Sequence, residues 1–132
     1  MRLRSGYRGA AWYFQGRLEE AVTFWQSALR KIGGNPAMIA AIGMSLGYLG
    51  RQAEARGILA ELDAVARERY VTPVGRAQVY LGLGEIDAVF EWLNCALEER
   101  DVHILLLPCK PIWDGIRNDP RFNMLLRKMR LV

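Results

Sequence analysis

The hexapeptide GRLEEA, Gly16 to Ala21, returns as GRQAEA at Gly50 to Ala55 and as GEIDAV at Gly84 to Val89. The offset is 34 residues both times, within a chain of 132. The phase extends beyond the hexapeptide. Trp25, Leu59 and Leu93 follow at one shared position, and Ala28, Leu62 and Ala96 at another. Upstream of each glycine stand Gly9, Gly43 and Ala77, then Trp12, Leu46 and Tyr80. Spacings of three, four and seven residues place these positions on one helical stripe. The unit is therefore two helices with a glycine in the turn between them, where a left-handed backbone is easiest without a side chain. Small residues at Gly9, Gly43, Ala77, Ala21, Ala55 and Ala28 let the paired helices approach closely. Large ones at Trp12, Trp25, Leu46, Leu59, Tyr80 and Leu93 fill the space around the crossing.

The expected helices run over about 4–15, 18–32, 36–49, 52–69, 73–83 and 85–100, with no alternating strand pattern. Pro36 and Pro73 open helices, where a first-turn proline is tolerated. Arg67 to Thr72 reads as the loosest link between units. The stretch ILLLPCKPIWDGIRNDPRFNMLLRKMRL, from Ile104 onward, breaks the pattern. It offers a short helix over Pro111–Arg117 and another capped by Asp119 with Pro120 at its first position. Phe122, Leu125, Leu126 and Met129 share a face of the latter. A stack of helix pairs leaves its last pair with an uncovered apolar side. Ile104 to Leu107, Ile112, Trp113 and Phe122 supply the cover. The expected fold is all-α throughout.

Together these positions resemble the tetratricopeptide repeat, a 34-residue helix–turn–helix with a W-x2-L-G-x2-Y…A-x3-F…P pattern. Gly9, Trp12, Ala21 and Trp25 carry it in the first unit. Ile39, Ile42, Gly43, Leu46, Ala55 and Leu59 carry it in the second, and Ala77, Tyr80, Val89 and Leu93 in the third. The family's late proline is missing from its usual place. The resemblance implies one domain over residues 1–132: an α-α superhelix of three repeats, about 3–34, 35–68 and 69–101, closed by a capping segment over 102–132. The tail also resembles the ends of bacterial multidomain regulators, where such repeats follow a cyclase, kinase or winged-helix domain. That would make this chain the C-terminal, partner-binding part of something longer. Residues 1–8 are too few to cap the first repeat, which agrees.

In this family, first helices of successive repeats line a concave groove that holds peptides. The resemblance places Tyr7, Ala10, Tyr13 and Phe14 there, then Ala37, Ala40, Ala41, Met44 and Tyr48, then Val74, Gln78 and Leu81. The partner-binding candidates are Tyr7, Tyr13, Phe14, Met44, Tyr48, Gln78 and Leu81, a small apolar groove suited to a helical or apolar peptide. The family's lysine–asparagine–arginine clamp for a C-terminal carboxylate is absent at Gly6, Ala10, Ala41 and Met44, which removes that ligand class. The implied function is a non-catalytic protein–protein interaction scaffold. The alternative is self-association, a homodimer formed through uncapped Tyr7, Trp12 and Tyr13.

Composition narrows the field further. The chain is 52% hydrophobic and 24% charged, ordinary for a folded protein. Its net charge of +4 is unevenly spread: +3 over residues 1–8, +4 over 117–132 and −3 between them. A nucleic-acid footprint clusters on one face, so this distribution argues against that partner. Cys95 and Cys109 make no disulfide framework and are expected reduced and mostly buried. No signal peptide opens the chain, and Ala37–Leu49 is too short to span a bilayer. A cytoplasmic setting follows, with no membrane partner. No metal-ligand spacing or cofactor motif occurs. His103 is the only histidine, with no nucleophile at a recognisable spacing. Glu19-Glu20 and Glu98-Glu99 diverge around their helices, and GLGE at 82–85 falls in a turn rather than a phosphate loop. No catalytic set emerges.

Overall fold

The structure, a computed structural model, describes residues 17–32 and 35–129. Among these residues every regular element is helical. Five α-helices come first: α1 Leu18–Ile32, α2 Pro36–Tyr48, α3 Gln52–Ala66, α4 Pro73–Leu83 and α5 Ile86–Glu98. Two 3-10 segments follow, η1 Val102–Cys109 and η2 Pro111–Ile116, and then α6 Pro120–Lys128. The expected helix over 4–15 lies outside the described residues.

Local chemistry sets the starts. Asn35 caps α2, its Oδ1 accepting from the amides of Ala37 at 2.9 Å and Met38 at 3.3 Å. Thr72 caps α4 by accepting from Val74 N at 3.1 Å. Asp119 caps α6 by accepting from Arg121 N at 2.9 Å. A proline follows each cap, at the position where a missing amide costs least.

The ends of α2 and α4 share one motif. Gly50 and Gly84 take left-handed φ of 82° and 78°. Arg51 N then reaches back to Leu46 O, and Glu85 N to Tyr80 O. These six-to-one bonds turn the chain sharply and send it back as α3 and α5. Helix α3 stops earlier than expected, at Ala66, with a turn over residues 67–68.

Among the described residues many in-phase positions are core, while Ala21, Trp25, Ala28, Leu59 and Tyr80 are partly buried. Ala55, Ala77, Val89, Leu62, Ala96 and Leu93 are fully buried, and Leu46 nearly so. Helix α2 packs on α1, α3 and α4, and α4 packs on α3 and α5. Gly43 serves two contacts. A Cβ there would lie 2.7 Å from Ile58 Cγ2 on α3 and 2.8 Å from Val79 Cγ2 on α4. The closest approach is elsewhere. A Cβ on Gly47 would meet the Gly82 carbonyl carbon at 2.4 Å, and one on Gly82 would meet Met44 O at 2.2 Å. There the backbones of α2 and α4 touch directly, which only paired glycines allow.

The apolar run after Asp101, expected only as cover, is itself helical. Pro108 and Pro111 remove two amide donors within four residues, so an α-helix cannot run through both. The chain takes tighter 3-10 turns with a repeat of three. Ile104 and Leu107, three apart, face inward. They join Trp113, Ile116, Phe122, Leu125 and Leu126 in one core with Val74, Leu81, Val89, Phe90 and Leu93. The tail thus packs on the last helix pair through Ile104 and Leu107, whereas Leu105 and Leu106, expected in the cover, are exposed because the repeat of three turns them away.

The tail breaks the residue pattern but not the contact spacing. Arg121 Nη1 donates to Asp87 Oδ1 at 2.8 Å, and Lys128 Nζ to Asn94 Oδ1 at 3.3 Å; both pairs are 34 residues apart. Helix α6 therefore runs parallel to α5 at the offset that relates the earlier turns.

Candidate functional site

The row made by α2 and α4 holds those groove candidates that fall within the described residues. Tyr7, Tyr13 and Phe14 lie outside them. Ala37 is exposed, Ala41, Met44 and Gln78 are partly exposed, and Tyr48 is 38% exposed. Leu81 departs from expectation. At 6% exposed it belongs to the core that the tail completes, and Val74 does as well. Ala40 is also buried. The open part of the row is therefore shifted toward α2, with Met44, Tyr48, Ala37 and Ala41 beside Gln78. The Gly47–Gly82 contact holds the two helices of the row tightly together.

A second cluster joins the α3–α4 link to the start of η1. Tyr70 OH donates to Asp101 Oδ2 at 2.6 Å and lies 3.1 Å from Glu99 Oε1. Asp101 Oδ1 accepts from His103 N at 2.9 Å and lies 2.7 Å from His103 Nδ1. The Thr72 hydroxyl bonds the same carboxylate. Burial by itself would raise the Asp101 carboxyl, but the bonds from Thr72, Tyr70 and His103 outweigh it and hold it well below its ordinary value of 3.8. Burial, then the bond to Asp101, pushes the Tyr70 phenol well above its ordinary 10. Tyr70 thus stays a donor and Asp101 an acceptor. The segment from Arg67 to Thr72, expected as the loosest link, is pinned: Val71 is buried, Thr72 caps a helix and Tyr70 reaches Asp101 at the start of η1.

The residues weighed for catalysis hold other positions. His103 engages Asp101 through Nδ1, so the pair is tied into a helix cap. Cys95 Sγ lies 3.4 Å from Glu99 Oε2, and burial followed by that carboxylate pushes its thiol up, which disfavours the nucleophilic thiolate. Cys109, expected mostly buried, is exposed, because it ends η1 on the side opposite the core. Trp113 is deep core, and Trp92 lies beneath Arg76, whose guanidinium sits 5.1 Å from the ring centre. Arg76 also pairs with Asp63. Among the described residues no group of three His, Cys, Asp or Glu side chains is placed to hold a metal ion, and no helix is long and apolar enough to cross a membrane.

Arg117 and Arg121 of the basic tail are engaged internally. Arg121 forms a two-pronged pair with Asp119 at 2.9 and 3.0 Å, reaches Asp87, and lies 4.5 Å over the Phe90 ring. Arg117 pairs with Asp114 at 2.5 Å and lies over Phe122. These contacts fasten the tail and neutralise part of its charge.

Sequence reading missed the Gly47–Gly82 seam, the Tyr70–Asp101 tie, and Arg100 in a left-handed conformation at φ 58°. A signal existed for the seam alone, in the first glycine of SLGYLG and of YLGLG. In comparison with known proteins, no family model, no curated protein and no solved structure matches this chain.

Proposed function

We propose that the chain is a non-catalytic protein-interaction module: a stack of tetratricopeptide-like hairpins that holds a peptide or partner domain along its first-helix row. One observation carries this reading. Helices α2 and α4, closed by left-handed glycines at Gly50 and Gly84, pack side by side and leave Ala37, Ala41, Met44, Tyr48 and Gln78 accessible on adjoining helices. Side-by-side first helices are what the resemblance implies, and Met with Tyr provides adaptable contact for an apolar or helical peptide. The engagement of His103 by Asp101 and the raised Cys95 thiol support a structural role for those side chains. In the same reading the chain is the cytoplasmic, partner-binding end of a larger bacterial regulator.

Peptides selected from a random displayed library against the full chain test this. Met44→Lys with Tyr48→Ala should weaken the selected peptides by about tenfold or more. Binding that is indifferent to both substitutions would dispose of the groove. Self-association is the second reading, favoured by Phe24, which is 67% exposed on α1. A sedimentation coefficient that does not change with concentration removes it.

A further inference from the structure

We propose that the outer ridge of η1 is a second docking site, one that takes an acidic amphipathic segment of a partner protein. The ridge is apolar and outward. Val102, Leu105 and Leu106 are 69%, 55% and 47% exposed, three large aliphatics within five residues. The other large exposed hydrophobics among the described residues, Phe24, Tyr48, Tyr70 and Met124, stand singly on separate elements. Single exposed side chains are ordinary; a contiguous group marks an interaction surface. The repeat of three makes the ridge unavoidable: Ile104 and Leu107 must face the core, so Val102 and Leu105 face away.

The ridge is also rigid. Ile104 and Leu107 anchor its inner side, and the buried Asp101 carboxylate, held by Tyr70 and His103, fixes its start. A surface already ordered loses little entropy on binding.

Charge selects the partner. Arg100 precedes the ridge and Lys110 follows it; both are exposed. Between them the one acid is Asp101, whose oxygens accept from Tyr70 and His103 and face inward. No ion pair or hydrogen bond engages the Arg100 or Lys110 side chain among the described residues, whereas Arg117 and Arg121 close by each hold a carboxylate. An apolar strip with an unneutralised cation at each end complements an apolar segment bearing Asp or Glu at its ends.

Arg100 adds an independent mark. It sits at φ 58°, ending α5 with the six-to-one bond from Asp101 N to Ala96 O that also ends α2 and α4. Those two helices use glycine at this position. An arginine bears strain that glycine would not, and strain kept in place points to a use beyond closing the helix. An anionic membrane surface suits the ridge less well. Interfacial segments carry cations along a polar face and aromatic anchors, whereas the ridge has aliphatics alone and cations only at its ends.

Segment η1, on which the ridge sits, spans about 16 Å at roughly 2 Å per residue, the length of about eleven residues of α-helix. A displayed library of helical peptides of that length, selected on the full chain and counter-selected on Leu105→Asp/Leu106→Asp, tests the proposal. Enriched peptides should carry acids flanking aliphatic or aromatic residues. They should bind about tenfold or more weakly to the double variant, about threefold more weakly to Lys110→Glu, and more weakly as sodium chloride is raised. Arg100→Gly should weaken them yet raise the melting temperature by about 2–5 °C, a pair of effects that a purely structural arginine would not give. Thermal melts of the exposed-site variants close to the parent confirm the fold.

Enrichment of peptides without acids, or none over the double variant, overturns the proposal. Peptides sensitive to Met44→Lys but indifferent to Leu105→Asp overturn it while supporting the groove, so the two readings fail separately. Retention on phosphatidylserine vesicles, or concentration-dependent self-association, that is abolished by Leu105→Asp in place of peptide binding would reassign the ridge to a membrane or to a second copy.

Discussion

Helix α4 takes part in two contacts built on opposite principles. Toward α2 the contact is backbone on backbone, with Gly47 and Gly82 so close that neither has room for a methyl group. Toward the tail it belongs to a core of bulk, where Trp113, Phe122, Leu107 and Ile116 fill the space around Val74, Ala77 and Leu81. The α2 side depends on atoms that are absent and the tail side on atoms that are present. Sensitivity to mutation should therefore have opposite signs: one contact cannot gain a carbon and the other cannot lose one.

Trp113→Ala is the largest expected effect. The side chain is 2% exposed and central to the tail core. Truncating a buried tryptophan costs about 3–5 kcal/mol, a large part of the stability of a domain this small. Urea unfolding followed by helical circular dichroism measures it. A loss under about 1 kcal/mol would mean that the tail is not integral to the stack.

Gly82→Ala comes next. The obstacle is the Met44 carbonyl at 2.2 Å, which is backbone and cannot rotate away. Separation of α2 from α4 is the only relief, so the loss should reach the top of the overpacking range of about 1–3 kcal/mol. Gly43→Ala should cost less, because its obstacles are the methyl groups of Ile58 and Val79. Gly43→Leu, with four added carbons, should destabilise strongly. Gly57→Ala is the control. Nothing lies within 4 Å of its Cβ, and it sits within α3, so alanine should stabilise by about 0.5–1 kcal/mol. If Gly82→Ala and Gly57→Ala behave alike in thermal melts, the backbone seam is not the constraint described.

The contrast between the two contacts also explains what could be read in advance. Helix caps and hairpin glycines act within a few residues of themselves. Pro36, Pro73, Asp119-Pro120, Gly50 and Gly84 were therefore legible, as were the in-phase core positions Ala55, Leu62, Ala77 and Leu93. Gly47 and Gly82 lie 35 residues apart, one out of phase with the repeat. Their role exists only once α2 and α4 lie together, so the extra glycines are visible in the sequence but their pairing is not. Leu81 was misread for the same reason: a groove position becomes core once distant segments join it, and the core that holds Leu81 includes Trp113, Phe122 and Leu125 of the tail. Of the candidate groove, the α2 residues Met44 and Tyr48 and the α4 residue Gln78 are the portion the structure leaves open.

The smallest effect concerns the tie between the α3–α4 link and the start of η1, at Tyr70 and Asp101. The Asp101 carboxyl is held below its ordinary 3.8 because the bonds to it outweigh its burial. The unfolded chain therefore binds more protons in acid, and stability falls as pH drops. The contribution is fully present above the ordinary value and is lost as pH falls through and below it. Tyr70 acts at the other extreme. Its phenol is raised above 10, so its contribution is complete below that value and lost as pH climbs beyond it. Asp119 and Glu54 are also held low by their arginine partners and share the acid limb, so pH dependence alone does not isolate the tie. The difference between parent and Tyr70→Phe does. Removing one hydrogen bond from a phenol that is largely solvent-facing should cost about 1 kcal/mol at neutral pH. That difference should shrink as Asp101 is protonated in acid and again as Tyr70 ionises in strong base. A difference constant across the whole range would show that the phenol packs against the carboxylate without bonding to it.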